Sequence, residues 1–224
     1  MNLLDKSLWT PYGENGNTAP EFLHTFVDGC VKWSDTLELS VKHEPAMGWY
    51  MRVPGWFKVE ELKPYQAGRV VSKNQYLYGK FEFTCRLPSF RGAWPAIWLL
   101  GSTMPPEIDI MELFYKKCID RYKTTHTHHD LPTEPGKYSK IIKSRAYWQA
   151  FDVTARDMKF TLNWTEGKLE WFVNDQLVQV VIKPECREFP SRPMNIIINS
   201  GVGPWNVQNN KLSLFIIKEI SYHD

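Results

Sequence analysis

Residues 159–182 read Lys159-Phe-Thr-Leu-Asn-Trp164, then Thr165-Glu-Gly167, then Lys168-Leu-Glu-Trp-Phe-Val173, then Asn174-Asp175, then Gln176-Leu-Val-Gln-Val-Val-Ile182. Three runs rich in β-branched and aromatic residues are parted by short clusters of turn-forming residues, which is the pattern of consecutive hairpins. The same punctuation continues outward. Residues 31–41 alternate loosely, and 69–72 and 76–87 are β-rich stretches separated by Lys73-Asn74-Gln75. Residues 96–100, 107–112, 126–129, 150–153, 194–200 and 212–222 complete the set of expected strands. Few segments carry helical periodicity. Regular short strands with turn signals predict an all-β sandwich or jelly roll rather than βαβ units. No repeat, low-complexity tract or linker interrupts the chain, so residues 1–224 read as a single domain.

Composition narrows the function classes. With 224 residues, 43% of them hydrophobic, the chain can bury one sizeable core. A net charge of +2 supplies no strong field for nucleic acid or an anionic membrane. No apolar stretch of about 18 residues marks a transmembrane helix. The start, Met1-Asn-Leu-Leu-Asp-Lys6, shows no signal peptide. Cys30, Cys85, Cys118 and Cys186 are widely spaced, which argues against zinc and favours buried free thiols over disulfides. Ten Trp and ten Tyr are a high aromatic content, of which a core can absorb some, and indole rings are also a natural surface for flat or amphipathic ligands.

Glu107-Ile-Asp109-Ile-Met-Glu112 places three acids within six otherwise apolar residues. Carboxylates so close repel each other and lose hydration, so a fold keeps them for a metal or for split acid/base roles. In a plain strand Glu107 and Asp109 share a face and Glu112 points away. A β-bulge near Ile110 or Met111 would return Glu112 to that face. Three carboxylates cannot all ionise cheaply, so one is expected to hold a proton near neutral pH, as a general acid requires. A solvent-exposed strand with its acids in ion pairs, or a calcium or magnesium site, would also use such a motif. The flank decides against both: Gly92-Ala-Trp94-Pro-Ala-Ile-Trp98-Leu-Leu-Gly101 sets two indoles on one face beside the acids, as a sugar cleft wants and a metal site does not.

Trp94-Pro-Ala-Ile-Trp98 followed by Glu107-Ile-Asp109-Ile-Met-Glu112 resembles the signature of glycoside hydrolase family 16, in its laminarinase-like branch. Residues 67–73, 78–88, 162–175 and 195–205 extend the likeness over most of residues 65–222, whereas the first 60 match loosely. The resemblance implies a concanavalin A-like jelly-roll β-sandwich with a concave substrate cleft. It also implies endo-acting, retaining hydrolysis of a β-linked polysaccharide. By position, Glu107 would be the nucleophile, Asp109 its modulator and Glu112 the acid/base. Trp94 and Trp98 would hold the sugar, with His126 and His128 (His128 preferred) facing the cleft from the next strand. Arg69, Asn199 and Trp205 are further substrate-binding candidates, and Trp164 and Trp171 belong to the core. Lys218 stands where many relatives carry an Asp that helps bind calcium, so no metal and no cofactor is expected. The family implies a monomer working outside the cell or in the periplasm.

The implied substrate is β-1,3-glucan or mixed-linkage β-1,3-1,4-glucan. The link between Trp98 and Glu107 is short and lacks the Trp-Pro and Gly of typical laminarinases. That leaves room for a galactan such as agar or carrageenan, or for transglycosylation. A glucan-binding module without catalysis would be expected to lose its glutamates, and here all three acids stand.

Overall fold

The computed structural model describes residues 1–11, 16–52, 57–102, 106–131, 140–205, 207 and 214–224. In chain order its strands are β1 (Trp9–Pro11), β2 (His24–Phe26), β3 (Val31–Trp33), β4 (Leu37–Leu39), β5 (Val41–Lys42), β6 (Ala46–Arg52), β7 (Phe57–Lys63), β8 (Tyr65–Ala67), β9 (Arg69–Tyr76), β10 (Gly79–Arg86), β11 (Ala96–Leu100), β12 (Glu107–Glu112), β13 (Lys123–Asp130), β14 (Lys140–Trp148), β15 (Met158–Trp164), β16 (Lys168–Val173), β17 (Gln176–Ile182), β18 (Met194–Asn199) and β19 (Phe215–His223). One seven-stranded sheet runs β1-β9-β18-β11-β12-β13-β14, and a second runs β17-β16-β15-β10-β19-β4-β3. All pairings within these two sheets are antiparallel. The two face each other as the all-β jelly-roll sandwich expected from the residue pattern.

Alternation builds the core. In β10, Phe81, Phe83 and Cys85 are fully buried while Lys80, Glu82 and Thr84 face outward. Ile97, Leu99, Ile108, Ile196 and Ile198 of the first sheet meet Phe160, Leu162 and Ile217 of the second. Each such side chain contributes roughly 1.5–3 kcal/mol on leaving water. Trp164 and Trp171 lie in this layer as expected, without solvent exposure. Trp164 Nε1 donates to the Pro190 carbonyl at 3.0 Å. Trp171 Nε1 donates across the sandwich to the Asp109 carbonyl at 2.8 Å.

The structure corrects several local expectations. Lys73-Asn74-Gln75 does not break the chain: β9 runs through it, and the turn falls at Tyr78 and Gly79, both with positive φ. Residues 150–153 form no strand, because Asp152 accepts from the Thr154 backbone N–H (2.9 Å) and hydroxyl (2.7 Å) and folds the chain locally. The hairpin β6–β7 and the edge strand β14 were not anticipated. All four thiols are free, yet only Cys30 and Cys85 are buried, since Cys118 is exposed and Cys186 half-buried. Lys218 Nζ pairs with Asp157 Oδ2 at 2.7 Å. Among the described residues no helix is long and apolar enough to cross a membrane.

Candidate active site

Strand β12 carries the expected bulge, at Ile110. Against β11, Trp98 pairs with Asp109 but Ile97 pairs with Met111, which leaves Ile110 as the extra residue. The same shift recurs on the other side, where Asp109 meets Thr127 and Glu112 meets Thr125. Glu112 is thereby rotated onto the face of Glu107 and Asp109, and all three line one cleft of about 440 Å³. The carbonyl of Ile110 is satisfied from inside the sandwich: His126 Nδ1 donates to it at 2.7 Å. That bond fixes the tautomer, because a carbonyl only accepts, so His126 Nε2 accepts from the Thr124 hydroxyl at 3.1 Å. Burial holds the His126 pKa down at about 4, so the imidazole stays neutral.

The acids form one electrostatic unit. The Glu107 and Asp109 side chains are hydrogen-bonded to each other, which requires a proton between them. Burial, then the charge of Asp109, raises Glu107 well above the usual carboxylate range. Burial, then the charge of Glu112, does the same to Asp109. Glu112 is pushed up to about 7 by burial, against the opposing pull of Trp94, whose Nε1 donates to Oε1 at 2.9 Å. His129 Nε2 lies 3.0 Å from Asp109 Oδ2 and 3.9 Å from Glu107 Oε1, and favours the charged forms of both glutamates. Near neutrality the cluster therefore keeps at least one proton. Glu107, Asp109 and His129 also bring ligand atoms within 4.8 Å of one another, but the hydrogen bonds just described already engage the Asp109 carboxylate.

Both predicted indoles reach the cleft. Trp94 lies just before β11 and Trp98 within it; Trp98 Nε1 donates to Asn199 Oδ1 at 2.8 Å, and Asn199 lines the same cleft. Trp205 stands behind Trp94, with ring centroids 5.5 Å apart, and Lys116 Nζ lies 4.8 Å from its ring.

Residues 23–213 match the model of a family described as Glycosyl hydrolases family 16. The chain belongs to that family. A β-glucanase of Rhodothermus marinus is 30% identical over an alignment of 189 positions that covers 75% of this chain and 58% of that protein. The chain therefore spans little more than half the length of that relative. Among solved structures, the laminarinase catalytic domain from Thermotoga maritima MSB8 superposes with a TM-score of 0.78 at 24% identity, covering 98% of this chain and 92% of that one. The κ-carrageenase from Pseudoalteromonas carrageenovora reaches a TM-score of 0.76 at 18% identity, over 96% of this chain and 88% of that one.

In this family 16 chain, four expected substrate-binding residues, His126, His128, Arg69 and Trp205, are not among those that line the cleft. Glu107 pairs with His129 and Asp109 with Thr127, so the odd-numbered residues of β13 face the cleft. His126 and His128 point together, as alternation requires, but into the sandwich, where both are fully buried. Burial holds His128 at about 4, and its Nδ1 lies 3.8 Å from Cys186 Sγ. The histidine that β13 presents to the cleft is His129. Arg69 is not among the cleft-lining residues: its guanidinium lies 4.0 Å from the Phe26 ring centroid and donates to Asn17 Oδ1 at 2.7 Å. Glu21, Phe22, His24, Phe114, Thr127 and Ser144 line the cleft without having been singled out. Phe114 was within reach, since alternation past the bulge puts it on the face of Glu112. Phe22 and His24 come from a stretch with no local signal, and reach the site because His24 Nδ1 lies 3.0 Å from the Val202 backbone nitrogen and 3.1 Å from its carbonyl.

Proposed function

We propose that this chain is a retaining endo-β-glucanase that cleaves β-1,3-glucan or mixed-linkage β-1,3-1,4-glucan. The observation that carries the reading is the Ile110 bulge, which gathers two glutamates of different character in one cleft beside two indoles. Glu112, at about 7, holds a proton in the range where a general acid is most useful, and gives it to the glycosidic oxygen. Glu107 attacks the anomeric carbon from the opposite face, and the bond between that carbon and the leaving oxygen breaks. Glu107 gives up the proton it shares with Asp109 before it attacks, and His129, 3.0 Å from Asp109 Oδ2, favours the charged form of Glu107. Glu112, now ionised, takes a proton from water, which opens the glycosyl ester and restores the starting anomer. The relative named a β-glucanase supports a glucan, as do the indoles, whose faces suit neutral pyranose rings. The same reading has the protein act as a monomer on extracellular or periplasmic polysaccharide.

The test is incubation with laminarin, barley β-glucan, agarose and carrageenan, with product sizes and the first-formed anomer followed by proton NMR. Internal cleavage of a glucan with initial release of the β-anomer is expected. An initial α-anomer would overturn the double displacement, and cleavage confined to a galactan would overturn the substrate.

A further inference from the structure

We propose that Trp148 is an outer sugar-binding platform, continuous with the cleft, that stacks on a neutral pyranose ring of the polysaccharide beyond the segment held at the carboxylates. The proposal rests on the glucanase reading above. Among the described residues Trp148 is the tryptophan that stays more than half exposed, at 51%. It sits on β14, an edge strand of the sheet that carries the acids.

Strand parity places the ring. Its neighbour Tyr147 faces the interior: it pairs with the fully buried Thr124, and its hydroxyl donates to Gln176 Oε1 of the second sheet at 2.6 Å. Alternation then turns Trp148 to the outer face. That is the face of Thr127 and Ser144, whose hydroxyls are 3.0 Å apart and which both line the cleft. The ladder continues from Thr127 and Ser144 through Thr125 and Ala146 to Lys123 and Trp148. Trp148 therefore stands four residues past the cleft wall, about 13 Å along the strand. Between them Ala146 offers only a methyl group, so nothing on β14 rises to block a chain lying across this face.

The local chemistry selects the ligand. Lys123 Nζ sits 4.8 Å from the indole centroid and is itself paired with Asp120 Oδ1 at 2.9 Å. The ammonium draws on the ring and restrains it, while its charge is already balanced by Asp120. An anionic sugar gains little there. A neutral pyranose presents a C–H-lined face that suits an indole, with its hydroxyls left to water. A short oligosaccharide filling the cleft would not span the distance, so the platform serves polymer.

The ratio of kcat/KM on laminarin to kcat/KM on laminaritetraose is compared for wild type, Trp148→Ala, Trp148→Phe and the control Ile182→Ala, which lies on the far sheet. Retention on native gels cast with laminarin is measured in a Glu107→Gln background. In Trp148→Ala the ratio is expected to fall about tenfold through KM, with weaker gel retention, while Trp148→Phe recovers most of both and Ile182→Ala moves neither. A Trp148→Ala protein within twofold of wild type in both readouts overturns the platform. So does a parent that no glucan gel retains, or a variant that changes oligomeric state with glucan binding intact, since the ring would then be a contact between copies. Loss of retention in Trp148→Ala from a chain that hydrolyses no glucan would uphold the platform and overturn the glucanase reading instead.

Discussion

Replacing Trp94 with phenylalanine removes one hydrogen bond from the acid/base carboxylate and leaves most of the ring in place. Trp94 Nε1 donates to Glu112 Oε1 at 2.9 Å, and this bond favours the charged carboxylate. The phenyl ring of the variant can keep the contacts to Phe22 and Phe114, whose centroids lie 5.4 and 5.3 Å from the indole. A hydrogen bond to a charged group contributes about 1.5–3 kcal/mol. At 1.36 kcal/mol per pKa unit this corresponds to a rise of roughly one to two units. Water entering the vacated space would recover part of it, so the expected shift is about one unit upward from about 7. Because Glu112 must be protonated to act as the acid, the alkaline limb of log kcat/KM against pH moves to higher pH by the same amount. The assay is a pH series of initial rates on a soluble glucan, reading the position of the limb and not its height. A limb that stays in place or moves to lower pH would refute the reasoning, and with it the assignment of that limb to Glu112.

Glu107→Gln abolishes hydrolysis, yet its melting temperature at pH 7 is expected to exceed that of wild type by a few degrees. The folded-state pKa of Glu107 is raised, so from about pH 4 upward the unfolded chain holds fewer protons than the folded one, and stability falls as pH rises; a variant that melts lower at pH 7 and equally at pH 4 contradicts this. His129→Gln takes away the group that favours charge on both glutamates, so the acid limb of the pH profile moves to higher pH. His128→Asn, inside the sandwich, is expected to leave that limb unmoved; the two profiles measured side by side decide which histidine serves the site. His126→Ala leaves the Ile110 carbonyl without its donor at a cost of about 1–3 kcal/mol in stability, read by urea unfolding, and lowers kcat by mis-aiming Glu112. His126→Asn, which can present an N–H to the same carbonyl, is expected to recover part of both.

Most of the sandwich was legible because its strands satisfy local rules. Residues 168–173 carry period-two burial and are joined to 176–182 through Asn174 and Asp175, which take the positive φ such a turn demands, and both strands fold as read. The failures have physical causes of their own. Lys73-Asn74-Gln75 looks like a turn because its side chains are polar, but β9 passes through it with a register shift against β18, and the backbone of Gln75 and Tyr76 pairs with Asn195 and Met194 whatever the side chains prefer. Tertiary pairing overrode propensity. The edge strand β14 makes its ladder with β13 alone and needs no apolar face of its own, so nothing in its composition announced it.

The histidines expose a deeper limit, set by parity across a bulge. Alternation within β13 correctly separates His126 and His128 from His129, but which set faces the cleft depends on register with β12, a relation between strands about 20 residues apart in sequence. A slip of one residue would exchange the two faces, and the bulge in β12 breaks the counting that would link them. The structure resolves this in a way that ties the two faces together. The residue that points inward, His126, is the one that satisfies the carbonyl exposed by the bulge, while the one that points outward, His129, touches the acids the bulge assembles. An inward His129 could not reach Asp109, and an outward His126 would leave Ile110 unpaired in the core. The face on which each histidine lies is thus fixed by what the bulge needs from both sides of the sheet. A catalytic strand and its neighbour have to be read as a pair, with the bulge as the point where their registers meet.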